Sequence, residues 1–161
     1  MMSDFKTLSE NSRIWIYQSN RSLTQQEKES ISKLIEDFLN NWNSHGVSLN
    51  SGFEIKYNRF IVIAQDQNTQ SATGCSIDSM VHFIQKLEKQ YNISLLDKLN
   101  VSYKQGDYIA YKSLKDFKKM VKDGAVSKNT IVFNNLVQTK LEYTNYWEVP
   151  AFESWHARFF K

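Results

Sequence analysis

Five consecutive apolar residues, Phe60-Ile61-Val62-Ile63-Ala64, constrain this chain more than any other stretch. A strand with one wet face shows a polar residue at every second position. An unbroken, β-branched run instead predicts a central strand covered on both faces. Just before it, Phe53-Glu54-Ile55-Lys56-Tyr57 alternates cleanly, and Asn58-Arg59 between the two runs reads as a tight turn, so the pair predicts a hairpin. Residues 65–73 are polar and have neither period; a loop between a central strand and a helix is a common place for function. The helix that follows, over about residues 75–92, carries Ile77, Met80, Val81, Ile84, Leu87 and Tyr91 on one stripe.

The rest of the chain supplies partners for this frame. Arg13-Ile14-Trp15-Ile16-Tyr17-Gln18 reads as a strand with two apolar faces and is expected to be central. Thr24 and Glu27 have capping-box spacing. They open a helix over residues 24–42 with Ile31, Leu34, Ile35, Phe38, Leu39 and Trp42 at three-four spacing. Asn43-Ser44-His45-Gly46 stops it, with Gly46 free to take the left-handed conformation, and residues 47–49 read as a short edge strand. Leu95, Leu96 and Leu99 suggest one further helical turn. Gln105-Gly106-Asp107 separates the two halves of a hairpin, Val101-Ser102-Tyr103-Lys104 and Tyr108-Ile109-Ala110-Tyr111-Lys112. Ser113 and Asp116 cap a short helix that carries Leu114, Phe117, Met120 and Val121 and ends at Gly124, and Thr130-Ile131-Val132-Phe133 is a strand.

Residues 1–12 are polar and read as a frayed end. Residues 134–161 read as irregular but rich in large side chains that pack back on the domain. The order strand–helix–strand–strand–helix–strand matches a split βαβ layout. The expectation is a single α+β domain over residues 1–161. Its sheet would be antiparallel or mixed, its helices mainly on one face, with the C-terminal hairpin, helix and strand extending it.

Composition limits the function classes. Hydrophobic residues make up 41% of the 161, enough for a full core. A net charge of +3 from 20 basic and 17 acidic residues is too small to imply nucleic acid by itself. One cysteine excludes an internal disulfide and favours a reducing compartment. The first residues lack a signal-peptide core, and no stretch approaches the ~20 apolar residues of a membrane span. These features predict a cytoplasmic protein with no membrane partner. One Pro and five Gly leave little material for a linker.

The cysteine draws attention because it falls at the start of the second long helix. Unpaired N–H groups and the helix dipole there stabilise a thiolate, the setting catalytic cysteines use. A small buried thiol under the loop is the plainer reading of Cys75. The same helix start, with Thr73, Gly74 and Ser76, suits a phosphate or carboxylate, against which the charge of Asp78 competes. His45 and His156 are the two imidazoles able to serve as base to Cys75 if the fold brings either near. The plain alternatives are a helix C-terminal charge for His45 and a packing residue beside Trp155 for His156; His82 lies off the apolar stripe. Arg59, with Arg13 and Arg21 near Tyr17 and Tyr57, can hold a phosphate or a base, or simply stack. Lys115, Lys118, Lys119 and Lys122 form a solvated helix face and only a minor case for nucleic acid. No Cys/His metal spacing and no cofactor motif is present.

Arg13-Ile14-Trp15-Ile16-Tyr17-Gln18-Ser19-Asn20-Arg21 resembles the opening of a family of small uncharacterised Bacteroidetes proteins, and the likeness continues through residues 53–64, 73–79, 130–139 and 147–160. Members are often labelled "ABC transporter ATPase". Such an ATPase needs Gly-x-x-x-x-Gly-Lys-[Ser/Thr] to cradle its phosphates. The five glycines, Gly46, Gly52, Gly74, Gly106 and Gly124, never take that spacing, and no Leu-Ser-Gly-Gly-Gln signature occurs. The resemblance therefore implies a family without an activity.

The leading expectation is a domain, not an ABC-type ATPase, that binds a small polar or anionic ligand or a protein partner. Its pocket would lie around residues 74–79 and Trp155-His156, and its oligomeric state is left open. The alternatives are an enzyme with Cys75 as nucleophile and His45 or His156 as base, and a nucleic-acid-binding module.

Overall fold

The computed structural model describes residues 1–68 and 70–161. The chain is α+β, with antiparallel sheets and helices distributed over two compact units. The first unit comprises Met1–Leu96 with Gln138–Leu141, the second Asp97–Val137 with Glu142–Lys161.

In chain order the first unit runs β1 (Arg13–Gln18), α1 (Gln25–Asn41), β2 (Asn43–Ser44), β3 (Val47–Ser48), β4 (Ser51–Lys56), β5 (Phe60–Gln65) and α2 (Gly74–Tyr91). β5 lies between β1 and β4 and is antiparallel to both. All six of its residues are buried, which is why its sequence shows no polar alternation. The register puts Trp15, Tyr17, Phe53, Ile55, Ile61 and Ile63 on one face. These join Ile31, Ile35 and Leu39 of α1 and Met80, Ile84 and Leu87 of α2 in one core, so both helices cover the same face. At about 1.5–3 kcal/mol for each fully buried side chain, these stripes hold the helices in place more than intrinsic propensity does.

β1 forms an edge of this three-stranded sheet rather than its centre. Its two apolar faces record cover above and below, which does not require a hydrogen-bonded neighbour on each side. The β4–β5 turn begins one residue earlier than the sequence suggests, with Tyr57 and Asn58 both in the left-handed region (φ 55° and 54°). Helix α1 has the Thr24–Glu27 capping box but stops at Asn41, with Trp42 extended. Gly46 therefore caps no helix. His45 and Gly46 (φ 51° and 80°) form the two-residue turn of the β2–β3 hairpin, where Asn43 pairs with Ser48 and Ser44 with Val47.

The N-terminal residues, which read as a frayed end, are tied down. Ser3 N–H donates to Ser51 O at 2.7 Å, Ser51 N–H to Met1 O at 3.1 Å, and the Met1 ammonium to Leu49 O at 2.8 Å. Phe5 and Leu8 are buried. The Lys140 ammonium donates to the carbonyls of Phe5, Lys6 and Leu8 at 2.9, 3.0 and 2.7 Å, closing the 3₁₀ turn Phe5–Thr7. Met1, Met2, Phe5 and Leu8, scattered among polar residues, follow no period that would betray this anchoring.

The second unit runs β6 (Asn100–Gln105), β7 (Tyr108–Ser113), α3 (Leu114–Lys122), β8 (Ile131–Phe133), α4 (Lys140–Tyr146, whose first two residues belong to the first unit) and β9 (Glu148–Pro150). Its sheet has the order β7-β6-β8-β9. The strand at Val101–Lys104, expected to complete the first sheet, is β6 of this one, so the split βαβ layout does not close. Hairpin closure with adjacent β7, over six residue pairs, keeps β6 with its nearest sequence neighbour. The core holds Val101, Tyr103, Ala110, Phe117, Val126, Val132 and Ala151. The tail is regular where the sequence suggests irregularity: it contributes α4, β9 against β8, and 3₁₀ turns at Ala151–Glu153 and Trp155–Phe160. Three-residue strands are too short to show a period. Among the described residues no helix is long and apolar enough to cross a membrane.

Candidate functional site

The helix start at Cys75 is built by its own sequence. Thr73 is the N-cap of α2, and Ser76 takes the place more often held by Glu or Gln in a capping box. Thr73 Oγ1 accepts from Ser76 N–H at 3.4 Å, and Ser76 Oγ accepts from Thr73 N–H at 2.6 Å. Ser76 is buried, and its carbonyl accepts the Trp42 indole N–H at 2.8 Å. That bond ties the residue after α1 to the first turn of α2. The Ser44 hydroxyl, from the β2–β3 hairpin, donates to Thr73 Oγ1 at 3.3 Å. The hairpin tip, and with it His45, is thereby fixed beside the α2 N-terminus.

These elements enclose a groove of about 500 Å³. Its lining has two characters. Leu34 and Phe38 of α1 and Phe83 of α2 form an apolar floor, with the Phe38 and Phe83 rings stacked at 4.6 Å between centroids. Asp37, Asn41, Asn43, His45, Thr73, Cys75 and Ser79 supply a polar rim. Cys75 is exposed, not the buried thiol of the plainer reading, and so is His45. Both line this groove. Among the described residues no hydrogen bond engages the Cys75 thiol or the His45 ring.

The structure thus brings Cys75, His45, Thr73 and Ser76 to one groove. Gly74 and Asp78 sit in the same helical turn but are not among its lining residues. With Ser76 N–H and Thr73 N–H committed to the capping box, fewer donors remain for an anion than an uncapped helix start offers. Arg59 stands apart from the groove. It lies buried at the β4–β5 turn, its carbonyl accepting Ser19 N–H at 2.8 Å.

His156 and Trp155 belong to the second unit. His156 is fully buried, stacked on the Trp155 ring at 3.8 Å and edge-on to Phe117 at 5.9 Å. Its Nδ1 lies 2.8 Å from Ser154 Oγ, and its Nε2 and the Trp155 Nε1 have no partner among the described residues. Burial first, and the nearby Arg158 charge second, push its pKa down to about 4. The packing account of His156 beside Trp155 covers the ring contacts and the Ser154 bond, and leaves the two buried nitrogens without a partner among the described residues. Among the described residues no group of three or more His, Cys, Asp or Glu is placed to hold a metal ion.

Sequence reasoning reached as far as Ser79 on α2 but did not single out Asp37, Asn41 or Phe83. A signal was present. Cys75, Ser79 and Phe83 recur every four residues and so form one line along α2, beside the core stripe. Leu34, Asp37/Phe38 and Asn41 form the matching row on α1. Two such rows on neighbouring helices make the walls of a groove. Comparison of the chain with protein-family models, with curated proteins and with solved structures finds no match.

Proposed function

We propose that the chain is a binding domain whose α1–α2 groove takes a small ligand with an apolar or ring-bearing body and polar substituents. One observation carries this reading: the stacked Phe38–Phe83 floor lies under a rim of hydrogen-bonding groups in a concavity of about 500 Å³. Small-molecule sites combine an apolar lining with a few placed polar groups at this scale. The Asp37 carboxylate on the rim favours a ligand that presents a donor or a positive charge there over a simple anion. A fragment screen by two-dimensional NMR on the ¹⁵N-labelled protein tests it. Ligands should shift the amides of His45, Cys75, Ser79 and Phe83 together, and Phe83→Ala should weaken them. Hits that cluster elsewhere, or none at all, would defeat the proposal.

A second reading makes Cys75 a nucleophile served by His45. The shared groove favours it, and His45 is the base it would use. Alkylation of Cys75 by iodoacetamide at neutral pH separates the two readings. The enzyme reading expects the rate to fall several-fold in His45→Ala, whereas the binding reading expects no change. Neither reading is that of an ABC-type ATPase, because the five glycines never take the Gly-x-x-x-x-Gly-Lys-[Ser/Thr] spacing.

A further inference from the structure

The second unit carries a concavity of its own, about 700 Å³, lined by Leu99, Ser113, Leu114 and four lysines, Lys115, Lys118, Lys119 and Lys122. The spacing of the lysines, three and four residues apart, sets them on one face of α3. Phe117 faces the core, fully buried. All four lysines are exposed. The cations at Arg21 and Lys104 pair with Glu27 and Glu148. By contrast, among the described residues no carboxylate lies within ion-pair distance of any lysine on this face. Leu99 is 69% exposed, and its carbonyl accepts Leu114 N–H at 2.9 Å, which sets the two aliphatic side chains at the groove. Four ammonium groups without a carboxylate partner among the described residues, that of Lys118 standing over the Phe159 ring at 5.5 Å, surround an aliphatic depression and repel one another, while apolar area stays wet.

We infer that this groove docks an acidic protein segment carrying leucine-type anchors. Carboxylates would neutralise the lysines while one or two aliphatic side chains fill the depression between Leu99 and Leu114, the arrangement of an amphipathic segment in a groove. Other polyanions fit less well. A single-stranded nucleic acid calls for aromatic rings on which bases stack, and the lining contains none. An anionic bilayer is met by a broad apolar helix face sunk among headgroups, whereas the lining here holds only two apolar side chains, Leu99 and Leu114.

The test uses the full chain and a set of fluorescein-labelled 12-residue peptides rich in Glu, each with two leucines three or four positions apart. At least one should bind at low salt, and more weakly as salt rises. Affinity should drop about tenfold with the Lys115→Glu/Lys119→Glu variant, and again when the peptide leucines become serine or when Leu99→Ser is introduced. Far-UV circular dichroism checks that these surface variants fold. Absence of binding by every peptide, binding indifferent to the lysine and leucine changes, or tighter binding of a mixed-sequence oligonucleotide or of phosphatidylserine vesicles would each overturn the inference.

Discussion

His156 is held neutral by its surroundings, and the consequence is a pH dependence of stability. An unfolded histidine has a pKa of about 6.5, while the folded one is pushed down to about 4. As pH falls the unfolded chain takes up the proton first. The contribution is therefore fully present above about pH 6.5 and is lost progressively down to about pH 4, at most about 3 kcal/mol in all. Urea unfolding across that window should show falling stability toward acid in the wild type and a flatter dependence in His156→Phe. Equal slopes would count against it. Glu27 acts in a different window. The Arg21 guanidinium, first, and the Thr24 backbone N–H, second, hold its pKa down at about 2 from 4.5. Its contribution is present above about pH 4.5 and disappears as pH drops through about 2. Glu27→Gln should cost about 1 kcal/mol at neutral pH, and the difference should close in strong acid.

At the scale of elements, the helix starts were readable because capping is local. Thr24 with Glu27 forms the full reciprocal box, and Ser113 Oγ accepts Asp116 N–H at 3.1 Å as the N-cap of α3. The β2–β3 hairpin was harder to see, since Asn43-Ser44-His45-Gly46 suits a helix stop as well as a turn, and only pairing with Val47–Ser48 decides between them. Gly52 shows the same dependence on a distant segment. A Cβ there would stand 2.7 Å from Ser3 O and 3.1 Å from the Phe5 Cα, both backbone atoms that cannot move alone. Gly52→Ala should lose about 1–3 kcal/mol and expose the first eight residues to limited proteolysis. An unchanged melting temperature would show that the N-terminal segment yields at little cost.

At the scale of the whole molecule, each unit has a core cluster of its own residues. The first unit also needs a distant return of chain: Ile14 N–H donates to Gln138 O, Lys140 N–H to Ser12 O and Leu141 N–H to Glu10 O, each at 2.9 Å. Lys140 is the key residue of this return, since its ammonium serves three carbonyls. Lys140→Met keeps the aliphatic stem and removes the charge; it should destabilise by about 1–3 kcal/mol in urea titration. Hydrogen exchange should quicken at residues 5–14, and no change there would contradict the role given to the ammonium. Period and capping, which act over a few neighbouring residues, are properties of the sequence alone. From them came the α+β class, the two long helices, the buried run of β5 and an interest in Cys75. Which strands pair, where residues 1–12 and 138–141 dock, and which imidazole shares a groove with the thiol depend on contacts tens of residues apart. Burial and shape select among many such pairings that the local pattern leaves equivalent, and tertiary structure alone decided them.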